Sequence, residues 1–270
     1  MITSSANSTI KQVRKLRERK ERSASGLFYI EGLRIVIEAA RQNAPIQTLL
    51  YSPELLTSEG GLQEIHELQR RGIETLEVSA GVFRSLALKD DPQGIAAVVA
   101  QTWQPIESIS AKEGDLWVAL EEVADPGNLG TILRTCDGAG ACGVILLDHS
   151  TDPYDPIAMR ASMGAIFTQK LVKSNLDQFT LWVRNRNIPI IGTSGAARDD
   201  YHAFKYPDPF VLLMGSERQG LSEKALAICG NVVRIPMVGR NDSLNLAVAT
   251  AVMLYEVYNY RRDSRREGQK

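Results

Sequence analysis

Cysteine is scarce in this chain. Its 270 residues include three, Cys136, Cys142 and Cys229, an odd number with no C-x-x-C pair. That argues against a disulfide framework and against a cysteine zinc site. Histidine is as rare, and His66, His149 and His202 lie far apart along the sequence, so no metal site is expected. Long apolar runs are missing too. A spanning helix needs about 18 apolar residues, whereas the longest stretch here, 244–255, is shorter and contains Asn245. No secretory signal opens the sequence, and the expected setting is the cytoplasm, with no membrane partner. The composition, 44% hydrophobic and 23% charged, excludes collagen, coiled coil and bulk disorder. The length suits two modest domains or one large one.

An excess of one charge is also absent. With 31 basic and 32 acidic side chains the net charge is −1, which as a sum argues against a nucleic-acid partner. Divided along the chain, it reads differently. Residues 1–26 carry seven basic side chains against Glu18 and Glu21, a net of +5, and 261–270 carry five against two, a net of +3. The body between them is left at −9. Two readings stand side by side. One is a pair of basic arms for a polyanion, with Lys11, Arg14, Arg17, Arg19 and Lys20 as the first arm's contacts. The other is a solvated helix face and a frayed tail. Glu18 and Glu21 speak against a transit peptide, which avoids acids.

The first third reads as mixed helix and strand. Helices are expected over 10–23, 32–42 and 62–71, and strands over 28–30, 48–51, 74–78 and 94–101. A segment without sustained period, holding Pro105, serines and charges, follows at 102–114 and is the linker candidate. Beyond it, continuous apolar runs at 116–120, 144–148, 188–193, 210–215 and 232–236 alternate with helices. Such runs imply strands buried on both faces, as in a parallel α/β sheet. The last helix, 244–260, is apolar nearly all round at its start and needs a core or a subunit interface. The expected domains are therefore 1–104, a linker at 105–114, and 115–270.

One motif misleads. Gly138, Gly140 and Gly143 match the dinucleotide-binding G-x-G-x-x-G pattern. Its mechanism requires those glycines after a strand and before a helix. Here they follow a helix and precede a strand, so a helix cap and a tight turn are expected instead of a nicotinamide or flavin site.

Three polar loops, each following an apolar run, carry the chemistry. They are D-P-G-N-L-G-T-I-L-R-T at 125–135, G-S-E-R-Q-G-L at 215–221 and I-P-M-V-G-R-N-D-S-L-N at 235–245. Open parallel sheets bind ligands at the C-terminal ends of their strands, where all three loops would lie. Ser243 is placed to cap the final helix, and Asn245, a polar residue at a buried helix start, must find a partner.

In this order the three blocks resemble the signature motifs of the SpoU (TrmH-like) branch of the SPOUT RNA methyltransferases. Asn7–Arg41, with N-x-x-I-K and F-x-I-E-G elements, is similar to the substrate-binding domain that precedes many members. The resemblance implies an α/β fold: a C-terminal parallel-sheet SPOUT domain with a deep trefoil knot, preceded by a small α/β ribosomal-protein-like RNA-binding domain. It implies methyl transfer from S-adenosylmethionine to a ribose 2′-hydroxyl, in large-subunit ribosomal RNA before transfer RNA, by a homodimer joined through the knotted domains. A non-catalytic RNA-binding protein of the same fold is the competing class.

By matching positions, Thr193, Ser194, Gly195, Gly215, Ile235, Met237 and Leu244 would hold the cofactor, and Arg134, Asn128, Glu217, Ser243 and Asn245 would form the catalytic set. Arg160, in an R-x-S-x-G helix at 160–164, would touch RNA or the partner subunit. Arg134 is the family's proposed activator of the hydroxyl, oriented by Asn128 and Glu217. A guanidinium is a poor free base, so polarising the hydroxyl, anchoring a phosphate bidentately, and a phosphate oxygen taking the proton all stay open beside the base role.

Overall fold

A computed structural model describes residues 1–88 and 90–267. Lys270, counted above in the basic C-terminal segment, lies outside the described residues. The chain forms two compact units. The first is Met1–Thr102 together with Tyr154–Phe167, and the second is Trp103–Pro153 together with the described chain from Thr168 onward.

In the first unit the elements run α1 (Ser8–Lys15), α2 (Arg19–Ser25), β1 (Leu27–Glu31), α3 (Leu33–Arg41), β2 (Ile46–Tyr51), α4 (Glu59–Arg70), β3 (Glu74–Glu77), α5 (Ala80–Leu86) and β4 (Ile95–Ala100). The strands make a four-stranded mixed sheet in the order β1-β4-β2-β3. β4 lies antiparallel to both neighbours and β2–β3 is parallel. Ile10, Val13 and Leu16 pack with Tyr29, Leu50, Val82 and Phe83 in its core.

The expected single helix over 10–23 is two helices, and the reason is one buried side chain. Arg22, 1% exposed, turns back and donates to the carbonyl oxygens of Leu16 (3.0 Å) and Arg17 (2.7 Å). Those carbonyls belong to the break after α1, where a helix end needs donors. The second guanidinium nitrogen reaches Asp155 at 3.2 Å. Arg22 is therefore a structural tie, not part of a basic arm. α5 had no counterpart in the sequence reading.

The second unit holds β5 (Leu116–Glu121), α6 (Pro126–Ala139), β6 (Gly143–Leu147), β7 (Lys170–Ser174), α8 (Leu176–Arg186), β8 (Ile190–Thr193), β9 (Asp199–Asp200), β10 (Phe210–Met214), α9 (Glu223–Ile228), β11 (Asn231–Arg234) and α10 (Leu246–Glu267). A further helix between β6 and β7, Pro156–Ser162, packs with the first unit. The sheet is seven-stranded and parallel, in the order β7-β6-β5-β10-β8-β11-β9. Its central strands β5, β6 and β10 are buried along their whole length, as continuous apolar runs require. The order reverses direction between β5 and β10, the position at which such sheets open a ligand crevice beyond their C-terminal ends.

The segment expected as a linker is held firmly by this unit. Ile106 and Ile109 are buried in its core. The indole N–H groups of Trp117 and Trp182 donate to the carbonyls of Ser110 (3.2 Å) and Ile109 (3.4 Å), since a buried indole must find an acceptor. The described part of the basic C-terminal segment, 261–267, is likewise helix. Arg261 donates to the carbonyls of Gly114 (2.8 Å) and Asp115 (3.2 Å) and pairs with Asp208 at 2.8 Å.

The misleading glycines do what their context implied. Gly140 caps α6 in the left-handed region at φ 75°. Gly143 opens β6 where a Cβ would strike the Lys170 carbonyl and the Trp117 ring.

Candidate active site

Three loops meet beyond the C-terminal ends of β5, β10 and β11. The first becomes α6, started by Asp125, whose carboxylate accepts the Asn128 N–H at 2.7 Å, with Pro126 in the first turn. Asn128 is thus not the cap, and its side chain is available elsewhere.

It is used at once. The Asn128 amide nitrogen donates to Glu217 at 3.1 Å, and its oxygen accepts from the Asn245 amide at 3.0 Å. Glu217 also accepts the backbone N–H groups of Ala124 (3.1 Å) and Asp125 (3.2 Å). One chain of hydrogen bonds, Asn245–Asn128–Glu217, therefore joins all three loops. Burial works against the ionised Glu217, but the Asn128 amide and the backbone N–H groups outweigh it and hold the carboxyl below its usual range. Glu217 is an ionised anchor at neutral pH, not a proton acceptor.

Asn245, rather than Ser243, caps α10: its oxygen accepts from Ala247 (2.9 Å) and Val248 (3.3 Å). An amide is the better choice there, because its oxygen caps while its nitrogen still reaches Asn128. Ser243 donates instead to Asp242 at 3.1 Å.

Arg134 stands apart from this chain. It is exposed on α6 and makes no hydrogen bond or ion pair among the described residues, so neither Asn128 nor Glu217 orients it. Six residues separate it from Asn128, about a turn and two thirds of helix.

A cavity of about 330 Å³ opens beside the network. Thr193, Ser194 and Gly195 line it from the end of β8, Gly215 from β10, and Ile235, Met237 and Leu244 from the loop after β11. Glu217 and Ser243 lie at the same cavity, whereas Asn128, Arg134 and Asn245 do not line it. Gly215 is required by a close approach: a Cβ there would collide with the backbone of Gly220 and Leu221, which a Ser216–Gly220 turn brings back against it.

Sequence reasoning missed Glu121. This carboxylate, 6% exposed, ends β5 and accepts the Ser222 N–H (2.8 Å) and hydroxyl (2.6 Å), fixing the far end of the β10 loop. The signal was available: an acid closing an apolar strand must be buried and therefore partnered. Arg218 and Asp242 also line the cavity without having been singled out.

The residues fit S-adenosylmethionine. The volume falls within the roughly 300–1,000 Å³ of small-molecule sites. Met214, Val233, Ile235 and Leu246 supply apolar walls. Among the described residues, the peptide groups of 236–244 make no hydrogen bond, so they are free to bind a purine edge or an amino-acid group. Asp242 and Glu217 place negative charge beside the cavity, which suits a sulfonium.

The expected RNA contacts divide. Lys11, Arg17, Arg19 and Lys20 are exposed on the first unit. Arg14 and Arg17 are already engaged, donating to the Ser85 hydroxyl (2.9 Å) and the Ala87 carbonyl (2.8 Å). Arg160 is exposed on the Pro156–Ser162 helix, while Ser162 of the same motif is buried and bonded to the Met159 carbonyl at 2.8 Å.

Comparison with known proteins completes the picture. Residues 115–255 match the SpoU rRNA Methylase family, and residues 7–97 match an MRM3-like substrate binding domain. The chain is 30% identical to a 23S rRNA (uridine(2479)-2′-O)-methyltransferase of Streptomyces viridochromogenes, over 91% of this chain and 87% of that one. It is 29% identical to the 23S rRNA (guanosine(2553)-2′-O)-methyltransferase of Bacillus subtilis, over 95% of this chain and 98% of that one. An AdoMet-bound rRNA methyltransferase from Sinorhizobium meliloti superposes with a TM-score of 0.88 at 38% identity, covering 97% of both chains.

Proposed function

The chain belongs to the SpoU rRNA methylase family, and from that premise we propose that it transfers a methyl group from S-adenosylmethionine to a ribose 2′-hydroxyl of 23S ribosomal RNA. The observation that carries the reading is the gathering, around one cavity, of seven expected cofactor residues from the loops that follow β8, β10 and β11. The two curated relatives above are named as 23S rRNA enzymes and match this chain over nearly its whole length, the substrate-binding part included.

When bound, S-adenosylmethionine supplies an electrophilic methyl group with a good leaving group. The protein's own work is then positioning and charge stabilisation. The backbone of 236–244 and the Gly215 turn hold the cofactor. The Asn245–Asn128–Glu217 chain locks the three loops against one another, so the geometry is set before RNA arrives. Arg134 is exposed and uncommitted. It acts on the ribose hydroxyl as a polariser and on the adjacent phosphodiester as a bidentate anchor, and a phosphate oxygen of that linkage takes the hydroxyl proton as the bond from oxygen to methyl forms and the bond from methyl to sulfur breaks.

The first unit binds the RNA, with the exposed Lys11, Arg19 and Lys20 on the two N-terminal helices and Arg160 in the same unit as its cations. The domain limits 1–104, 105–114 and 115–270 are our proposed division between RNA binding and transfer, with Tyr154–Phe167 packing in the first unit. A homodimer is part of the reading. Val248, Tyr255 and Tyr258 on α10 are 49%, 48% and 43% exposed, an apolar stripe that a second copy would cover. The setting is the cytoplasm.

The test incubates the protein and methyl-labelled S-adenosylmethionine with 23S rRNA or with bulk transfer RNA. Label on 23S rRNA is expected. Label on transfer RNA alone overturns the substrate, and label on neither favours a non-catalytic RNA-binding protein.

A further inference from the structure

The first unit contains a second cavity that methyl transfer does not use. It has a volume of about 190 Å³ and lies within this unit, between β1, the start of α3 and the Pro156–Ser162 helix. Ile30, Ile35 and Met159 make its walls apolar, and the polar residues Tyr29, Glu31 and Gln93 line it as well. Two exposed arginines, Arg34 and Arg160, also line it, and neither makes an ion pair among the described residues.

Tyr29 is the informative member. The residue is 6% exposed, and its hydroxyl is buried with no hydrogen-bond partner among the described residues. An orphaned buried hydroxyl costs free energy and calls for an explanation. Its ring packs in the core of the unit, so the hydroxyl is fixed in place. Burial and the neighbouring Glu31 carboxylate push its pKa up, so it remains a hydroxyl able to donate. Glu31 is itself held at the site, accepting the Leu88 N–H at 2.5 Å. Gln93 is fixed by accepting the Leu33 N–H at 2.9 Å.

Size decides what fits. The cavity is smaller than the roughly 300 Å³ at which drug-sized pockets begin, so it suits one planar ring system and not a whole nucleotide. A carboxylate only accepts hydrogen bonds, and the Tyr29 hydroxyl has a donor to give. The matching ligand edge has an N–H beside a carbonyl. The two arginines at an apolar slot match the phosphates of a strand whose base has turned inward.

We propose that this cavity is a nucleobase pocket, in which a guanine or uracil turned out of the substrate RNA gives its N–H to Glu31 and receives the Tyr29 hydroxyl on its carbonyl, with Arg34 and Arg160 on the flanking phosphates. The proposal rests on the first unit binding the substrate RNA. It adds a base-selective contact to an interface otherwise made of backbone charge.

The test measures binding of the full-length protein to single-stranded oligouridylate and oligocytidylate, apart from any methyl transfer. Oligouridylate is expected to bind more tightly. Tyr29→Phe keeps the ring and is expected to weaken oligouridylate binding about five- to tenfold, one hydrogen bond's worth, while leaving oligocytidylate binding and S-adenosylmethionine affinity unchanged. Arg34→Ala is expected to weaken both oligomers alike. Equal binding of the two oligomers by the native protein, or an unchanged preference in Tyr29→Phe, would overturn the pocket. Guanosine monophosphate binding as tightly as RNA would overturn RNA as the source of the base. Because these readouts need no catalysis, loss of the preference refutes the pocket alone, whereas absence of methyl transfer with the preference intact refutes the proposed function alone.

Discussion

The basic N-terminal helices and the loops at the sheet's switch point use charge in opposite ways. In the helices, much of the charge is tied to the protein itself. Arg22 satisfies the carbonyls at the α1 break, and Arg14 and Arg17 bond to Ser85 and Ala87. In the loops the anchors Glu217, Asn128 and Asn245 satisfy one another, and Arg134, exposed on α6 apart from them, makes no hydrogen bond or ion pair among the described residues. A charge counted along a sequence is therefore not a charge available to a ligand. What distinguishes the two is whether a buried carbonyl or carboxylate already claims it.

Four variants separate the two kinds of charge. Arg134→Ala should have the largest effect, a loss of about 100- to 1,000-fold in kcat, the scale of removing one charge-stabilising group. Its S-adenosylmethionine Kd, read by calorimetry, should stay within about twofold of native, since one tenfold step already equals about 1.4 kcal/mol. Arg22→Ala should instead cost stability, about 3 kcal/mol by chemical denaturation, because it leaves Asp155 and two carbonyls without their donor. Methyl transfer per folded molecule should survive. An Arg22 variant that is stable but loses RNA binding would merge the two classes of arginine that the structure separates.

Glu217→Gln should be milder, about tenfold in kcat/KM, because the amide keeps the shape and loses the charge that the backbone N–H groups favour. Its pH dependence carries the sign. The folded carboxyl titrates below its unfolded value near 4.3, so its contribution to stability is complete above that value. That contribution is lost as pH falls through the lower, folded value. The stability difference between native protein and Glu217→Gln should therefore be flat from pH 8 to 6 and shrink only in acid. A difference that shrinks between pH 6 and 7 would show that the anchor is not held ionised. Lys11→Ala with Lys20→Ala should have the smallest effect, a few-fold loss of RNA affinity. The salt slope should fall by about 0.7–0.9 for each phosphate contact removed.

The architecture of the second unit was legible because its strands are continuous apolar runs, and 116–120, 144–148 and 210–215 fall on β5, β6 and β10. The three loops were legible as residues but not as partners. That Asn245 must find one followed from its place at a buried helix start. That the partner is Asn128, 117 residues away, depends on sheet order, which periodicity does not encode. The split of the N-terminal helix was hidden for a similar reason. Arg22 reads as one more surface cation until Tyr154–Phe167 packs with the first unit and brings Asp155 to it. β9, with two residues, and α5, with seven, are too short to show a period.

Alkaline hydrolysis of the labelled product distinguishes transfer to the ribose oxygen from transfer to a base. A 2′-O-methyl group blocks cleavage at its own phosphodiester. Label from S-adenosylmethionine on 23S rRNA should be recovered in alkali-stable dinucleotides if the ribose 2′-oxygen is the acceptor, and Arg134→Ala should yield almost none. Label recovered in mononucleotides, as from methylated bases, or undiminished in Arg134→Ala, would contradict it.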